Sequence, residues 1–352
     1  MFVWNQTAKY NINVKRLVVM NMGQLIKLQD YISRYEQDLY RYPTQFVRLK
    51  KQQWEKIKSA FLAGELEQFS FQEPPGSLEE EWGTDTKTGL FGKVKGIFSR
   101  GSSKDQISVS GIQDASGDEE NFFSLQLPSN VASLDELKQI YLNQLFRFQM
   151  KWGSSTMYEK SFVDQSFFLD EKLRFFLQRF PDTFLLLYKP VFLLKNAPVE
   201  VDIILISPTD AWCITFLEAE DDAVFTGSSE RFWLKRHHQH NERKVLNPIL
   251  AVERMEKIVK QLFSIYDVNL PIKKAILSRN GFIDYPLVPY DLTLIDKRAF
   301  PEWFQRMRSL SSPLKHQQLR AAQALLDYCQ TTSSRRLEWN GEQDVSEEEN
   351  RF

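Results

Sequence analysis

Residues 199–222 read VEVDIILISPTDAWCITFLEAEDD. Two apolar runs flank Ser207-Pro208-Thr209-Asp210, a cluster of turn-forming residues, so the stretch predicts two buried strands joined by a turn. Asp202 stands within the first apolar run, where a carboxylate is costly unless it is paired or holds a metal. Glu218 and Glu220 close the second run and, by the two-residue period of a strand, point to one face. Acids at the ends of adjacent antiparallel strands can converge on a hard cation, because neighbouring strands bring side chains within a few ångströms. A solvated strand end is the competing reading for both glutamates.

Outward from this stretch, the surrounding sequence is mixed. The helical pattern LDEKLRFFLQRF ends at Pro181, and the strand-like runs TFLLLY and VFLL follow it. Beyond residue 222 come the basic segment RFWLKRHHQHNERK, read as a loop, and a helix opened by Asn247-Pro248. Two further strand-like runs, IKKAILS and DLTLID, precede terminal helices at about 301–311 and 313–330. Helix, strands, helix and strand in this order predict an α/β domain with a mixed sheet over residues 165–332.

The N-terminal third has a different character. Leu25, Leu28, Ile32, Tyr35 and Leu39 recur at helical spacing, Pro43 breaks the pattern, and a second apolar stripe includes Phe46, Trp54, Ile57 and Phe61. These features predict an α-helical hairpin over 23–72. Residues 1–22 lack the apolar core of a signal peptide, and Met20 or Met22 is the expected natural start. Eight of the 14 glycines fall between Gly76 and Gly117, which predicts a disordered linker over 73–121. Within it, residues 89–101 (GLFGKVKGIFSRG) place apolar residues beside Lys93, Lys95 and Arg100 and form a candidate docking motif for a protein partner or an anionic membrane surface. Ser133 and Glu136 form a capping box for a bridging helix within 130–164, and the acidic segment 333–352 reads as a disordered tail.

Composition narrows the function classes. The 352 residues carry a formal net charge of −1, so no global basic field marks a protein that coats long duplexes, although a local basic cleft remains open. The 27 phenylalanines suit a well-packed core. The two cysteines, Cys213 and Cys329, fall inside strand and helix patterns and read as buried thiols of a reducing, cytoplasmic compartment. No apolar run approaches the ~20 residues of a membrane span. A phosphate-cradling glycine loop, a serine nucleophile elbow and a helical zinc-hydrolase motif are all absent. His237, His238 and His240 could approach a zinc site, but no cysteine or acid pair completes the ligand set. Lys235, Arg236, Arg243 and Lys244 in the same segment are candidate contacts to a nucleic-acid backbone.

Residues 165–330 resemble a NERD (nuclease-related) domain, a branch of the PD-(D/E)xK nuclease superfamily. The matching features are Glu171 on the leading helix, VEVDIILISP, LEAEDDAVFTGSSERFW and NPILAVERM, in that order. The resemblance implies a restriction-endonuclease-like α/β fold and Mg²⁺- or Mn²⁺-dependent cleavage of nucleic acid. It places metal ligands at Asp202 and Glu218, with Glu171 as a helper. The family lysine falls at Glu220, and the usual glutamine after Asn-Pro is Ala251. Aligned without a gap in the turn, the acid and lysine positions fall instead on Thr215 and Leu217. Two functions follow as expectations: a divalent-metal nuclease with catalytic residues Asp202, Glu218, Glu220 and Glu171, or a nuclease fold without catalysis that binds nucleic acid or a protein partner, the latter through the helical N-terminal region or residues 89–101.

Overall fold

The computed structural model describes residues 21–66, 127–128, 131–156, 158–195, 197–238, 240–310, 312–332 and 335–336. The expected linker, the docking motif at 89–101, Met20 and nearly all of the acidic tail lie outside the described residues. The chain divides into two compact units, Met1–Lys51 with Leu145–Phe352, and Gln52–Gln144.

Among the described residues the helices are α1 (Tyr42–Ala63), α2 (Leu134–Gly153), α3 (Gln165–Leu169), α4 (Glu171–Arg179), α5 (Ile249–Ile265), α6 (Phe300–Ser309) and α7 (His316–Leu326). The strands are β1 (Gln24–Leu28), β2 (Glu159–Lys160), β3 (Leu185–Tyr188), β4 (Val191–Leu194), β5 (Ala197–Glu200), β6 (Ile203–Ile206) and β7 (Ala211–Phe216). The series continues with β8 (Val224–Thr226), β9 (Phe232–His237), β10 (His240–Leu246), β11 (Ile272–Leu277), β12 (Phe282–Asp284), β13 (Leu292–Ile295) and β14 (Arg335–Arg336).

The larger unit is built on a six-stranded mixed sheet of order β1-β3-β6-β7-β11-β13. The quoted stretch supplies its centre. β6 and β7 pair antiparallel with Ile203 opposite Ile214 and Ile206 opposite Ala211, joined by the turn at 207–210. β11 runs parallel to both β7 and β13. Helices α5 and α7 pack against this sheet and against each other, α4 packs against β3 with its Phe176 ring on Phe216, and the central strands are buried. Phe175, Phe176, Phe180 and Phe304 interlock beside it at ring separations of 5.2 to 5.6 Å. A second, four-stranded sheet has the order β10-β9-β8-β12. Its inner face supplies Phe225, Trp233 and Ile283 to a cluster with Leu217, Ile276 and Val252. The mixed α/β architecture is therefore as expected, while three local elements differ.

The first difference lies at residues 24–28, where the periodicity predicts a helix and the chain forms β1, parallel to β3. Every residue of β1 is buried, including Gln24 and Lys27. The polar positions that looked like the wet side of a helix are internally paired. Lys27 Nζ donates to Glu36 at 2.6 Å and to Thr331 at 2.7 Å, and Gln24 Nε2 donates to the Asp182 carbonyl at 2.7 Å. Pairing with β3 and complete burial outweigh the helical spacing, so residues 24–28 are a strand where the first helix of the expected hairpin over 23–72 was to lie. The stripe continues through a 3₁₀ turn at Arg34–Glu36, and only α1 keeps the expected form.

The second difference is the basic segment after Arg231. It is the β9–β10 antiparallel hairpin, with Phe232 opposite Leu246 and Lys235 opposite Arg243. The third is the break in VEVDIILI, where β5 and β6 are separate strands and Asp202 sits between them.

Within the smaller unit, Trp54 of α1 packs on Tyr141 of α2 at 5.4 Å. Ser133 Oγ accepts from the Glu136 N–H at 3.2 Å as the sequence predicts, while the Glu136 carboxylate accepts from the Ala132 N–H at 2.8 Å, one residue before the cap. Among the described residues no helix is long and apolar enough to cross a membrane.

Candidate functional site

The end of the six-stranded sheet where β3 and β7 finish and β6 begins gathers a group of polar side chains. Tyr188 closes β3, Asp202 precedes β6, Thr215 lies near the end of β7, and Glu218 and Arg279 follow β7 and β11. The Ile203–Ile214 pair places Asp202 opposite Thr215, and the Thr215 hydroxyl donates to Asp202 Oδ2 at 2.6 Å.

Glu218 lies beyond this pair and is held elsewhere. Arg279 donates Nε to its Oε1 at 2.6 Å, Nη2 to its Oε2 at 3.0 Å, and its own backbone N–H to Oε1 at 3.1 Å. The guanidinium also rests over the rings of Phe175 and Phe216, at 5.2 and 5.3 Å. A planar cation that meets a carboxylate at two points and stacks on aromatic rings is fixed in direction as well as in charge. Glu220 points to a third partner, Lys235 of β9, whose Nζ donates at 2.6 Å.

The helical side of the group is α4. Its cap, Asp170, accepts from the Lys172 and Leu173 N–H groups at 2.9 and 3.1 Å through Oδ1 and from the Tyr188 hydroxyl at 2.6 Å through Oδ2. Burial pushes the Tyr188 phenol up, as do its bond to Asp170 and the charges of Asp170 and Asp202, while Arg279 opposes them. The same interactions place Asp170, Asp202 and Arg279 within electrostatic reach of one hydroxyl. Glu171, the first residue of α4, is exposed and acts electrostatically on Arg174. Lys172 Nζ lies 5.0 Å from the Phe216 ring and Lys189 Nζ lies 5.7 Å from the Tyr188 ring, so two cations flank the acids.

The three strand-end acids singled out in the sequence thus each take a different partner, Thr215 for Asp202, Arg279 for Glu218 and Lys235 for Glu220, while Glu171 stands exposed at the start of α4. Among the described residues no three His, Cys, Asp or Glu side chains converge as a metal site. His237 and His238 bring their rings to 4.2 Å at the hairpin tip. Of the candidate phosphate contacts, Lys235 is only 6% exposed. Arg236 pairs with Glu242 at 2.6 Å, and Arg243 and Lys244 are exposed.

Sequence reasoning passed over Arg279, Tyr188 and Asp170, and met Thr215 only as an alignment position without a chemical role. Asp170 carries a local signal, as an aspartate directly before a helix. Arg279 carries none, because it meets Glu218 only through the parallel pairing of β7 with β11. Gly227, Trp233 and Asn247, which belong to the motif resemblance, hold the 227–231 loop. A Cβ on Gly227 would come within 2.8 Å of the Tyr285 ring. Trp233 Nε1 donates to the Ser228 carbonyl at 3.0 Å, and Asn247 Nδ2 donates to the Glu230 carbonyl at 2.9 Å.

No family model matches the chain, and no solved structure matches it. It is similar to an RNA 2',3'-cyclic phosphodiesterase from Geobacillus stearothermophilus, with 38% identity over 129 residues that make up 36% of each protein. The chain spans about a third of the length of the curated relative it matches.

Proposed function

We propose that this chain is a nuclease-related protein that binds nucleic acid without metal-dependent cleavage. The observation that carries this reading is the separate engagement of the acids, with Asp202 bonded to Thr215 and Glu218 clasped by Arg279. A divalent cation on phosphate needs several hard oxygens turned to one point, and a guanidinium bound at two points competes for those oxygens. The pairing of Asp202 with Thr215 also supports the ungapped alignment, in which the acid and lysine positions of a NERD domain fall on Thr215 and Leu217. Leu217 packs in the hydrophobic cluster beneath the small sheet, so that position is committed to the core. The partial relative, named for action on an RNA cyclic phosphodiester, supports nucleic acid as the ligand class. A cytoplasmic location, and a protein partner for residues 89–101, are further parts of this proposal.

The test is incubation of labelled RNA and DNA with the full chain and Mg²⁺ or Mn²⁺, comparing it with Asp202→Ala. Binding without metal-dependent cleavage in either protein is expected. Cleavage by the unaltered chain that Asp202→Ala or Glu218→Ala abolishes overturns the proposal and restores the metal-nuclease reading.

A further inference from the structure

Alternation along the four-stranded sheet sorts its side chains into two faces. Phe225, Trp233, Lys235 and Ile283 turn inward. Cross-strand pairing puts Leu246 beside Phe232, Lys244 beside Leu234, Leu234 beside Thr226, and Arg236 beside Val224, which neighbours Phe282. These residues share the outer face. That face is apolar and wet together, with Phe232 43% and Leu246 56% exposed. Isolated exposed apolar residues need no explanation, but here both rings lie under cations. Arg231 lies over the Phe232 ring at 5.6 Å, while Lys297 and Arg298 lie over Phe282 at 5.8 and 5.6 Å.

We propose that this outer face is a platform for single-stranded nucleic acid, with Phe232 and Phe282 stacking on bases and Arg231 and Lys244 meeting the phosphates. The proposal deepens the nucleic-acid reading above and rests on it for the class of ligand. Aromatic rings set among basic side chains on an exposed sheet suit unpaired bases, whose flat faces any ring can meet, whereas a duplex keeps its bases stacked on one another. The two rings stand two strands and four residues apart, about 10 Å across and about 13 Å along the sheet, which leaves room for nucleotides between them. Charge agrees with the assignment. Lys244 is exposed and makes no ion pair among the described residues, and three of the acids near the face are already engaged by cations. Glu242 pairs with Arg236, Asp222 with Lys297 and Asp296 with Arg298, while Asp284, opposite Thr226, is an exposed acid on the outer face itself and acts electrostatically on Arg298. The β10 edge is rich in charge, so an acidic peptide adding to that edge is the competing occupant.

The experiment is fluorescence anisotropy with the full chain and labelled oligouridylate and oligothymidylate strands about 16 nucleotides long, against a duplex of equal length and an acidic peptide. Single strands are expected to bind more tightly than the duplex. Phe232→Ala should weaken single-strand binding at least about fivefold, and Phe232→Tyr should retain it. Lys244→Glu should weaken it and lower the salt dependence by about one counterion. Lys257→Glu, an equal charge change on α5, should match the unaltered chain. Single-strand binding that Phe232→Ala and Lys244→Glu leave unchanged overturns the platform while the nucleic-acid reading stands. Equal affinity for duplex, or capture of the acidic peptide alone, also overturns it. An unaltered chain that binds no nucleic acid at all removes the underlying reading.

Discussion

Thr215 faces Asp202 across the β6–β7 pair and donates its hydroxyl to the carboxylate at 2.6 Å. A hydroxyl there satisfies one lone acid without adding charge, where a second acid would oppose it. Thr215→Asp therefore creates two facing carboxylates. Without metal the variant should lose about 1 kcal/mol through like-charge repulsion across the strands. Mn²⁺ should restore its melting temperature and give a calorimetric binding signal that the unaltered chain lacks. A variant indifferent to Mn²⁺ would show that the strand ends cannot hold a cation in any acid arrangement.

The Glu218–Arg279 contact predicts an asymmetry. Arg279→Ala leaves a largely buried carboxylate without its guanidinium, with only the backbone N–H of residue 279 still donating to it, and should cost about 2–4 kcal/mol in urea unfolding. Arg279→Lys keeps the charge but not the two-point geometry, so its cost should fall between that of the alanine variant and zero. A loss below about 0.5 kcal/mol for Arg279→Ala would place the pair among the weak surface bridges.

Lys235 is buried on the inner face of the hairpin with its ammonium on Glu220. Lys235→Met fills the same space with an apolar chain and should change stability by no more than about 1 kcal/mol. It should leave nucleic-acid affinity unchanged, because the ammonium is turned inward. Glu220→Ala, which strands the buried lysine, should cost about 1–3 kcal/mol. A large loss of affinity in Lys235→Met would return this residue to the phosphate-contact role its sequence position suggested.

Acid pH should weaken the larger unit through Asp296 and Asp291. Burial raises the Asp296 carboxyl, but Arg298 and the backbone N–H groups of Ala299, Arg298 and Ile283 outweigh it and hold it below its ordinary value. The hydrogen bond from Lys274 does the same for Asp291. A carboxyl depressed in the folded state stabilises above its unfolded pKa, and that contribution is lost as pH falls through the folded value. Melting temperature should therefore drop as pH goes below about 4, and Asp296→Asn should flatten the decline. An unchanged slope in Asp296→Asn would assign the acid limb to other carboxylates.

The strands β3, β4, β6, β7, β11 and β13 and the helix after Asn247-Pro248 were legible because each has one strong period between clear turn residues. β8 and β12 were not, at three residues each, since alternation needs more length to show. The β9–β10 hairpin read as a loop because HNERKVL is almost wholly polar, and its strand state comes from pairing with β9 over buried Trp233. Residues 24–28 misled for the opposite reason. Their spacing fits a helix, but the strand state rests on pairing with β3 and on partners at Asp182 for Gln24 and Thr331 for Lys27, which no local window contains.

The local chemistry of the chain was enough to specify a mixed α/β domain, a β-turn-β centre and the acids that border it, because periodicity and turn propensity act over a few neighbouring residues. The partner that each acid takes depends on contacts between strands far apart in the chain. Register opposes Thr215 to Asp202, the parallel neighbour strand delivers Arg279 to Glu218, and a hairpin carries Lys235 to Glu220. A carboxylate has the same formula whether it holds a metal or a guanidinium, and the geometry of the assembled sheet makes that choice.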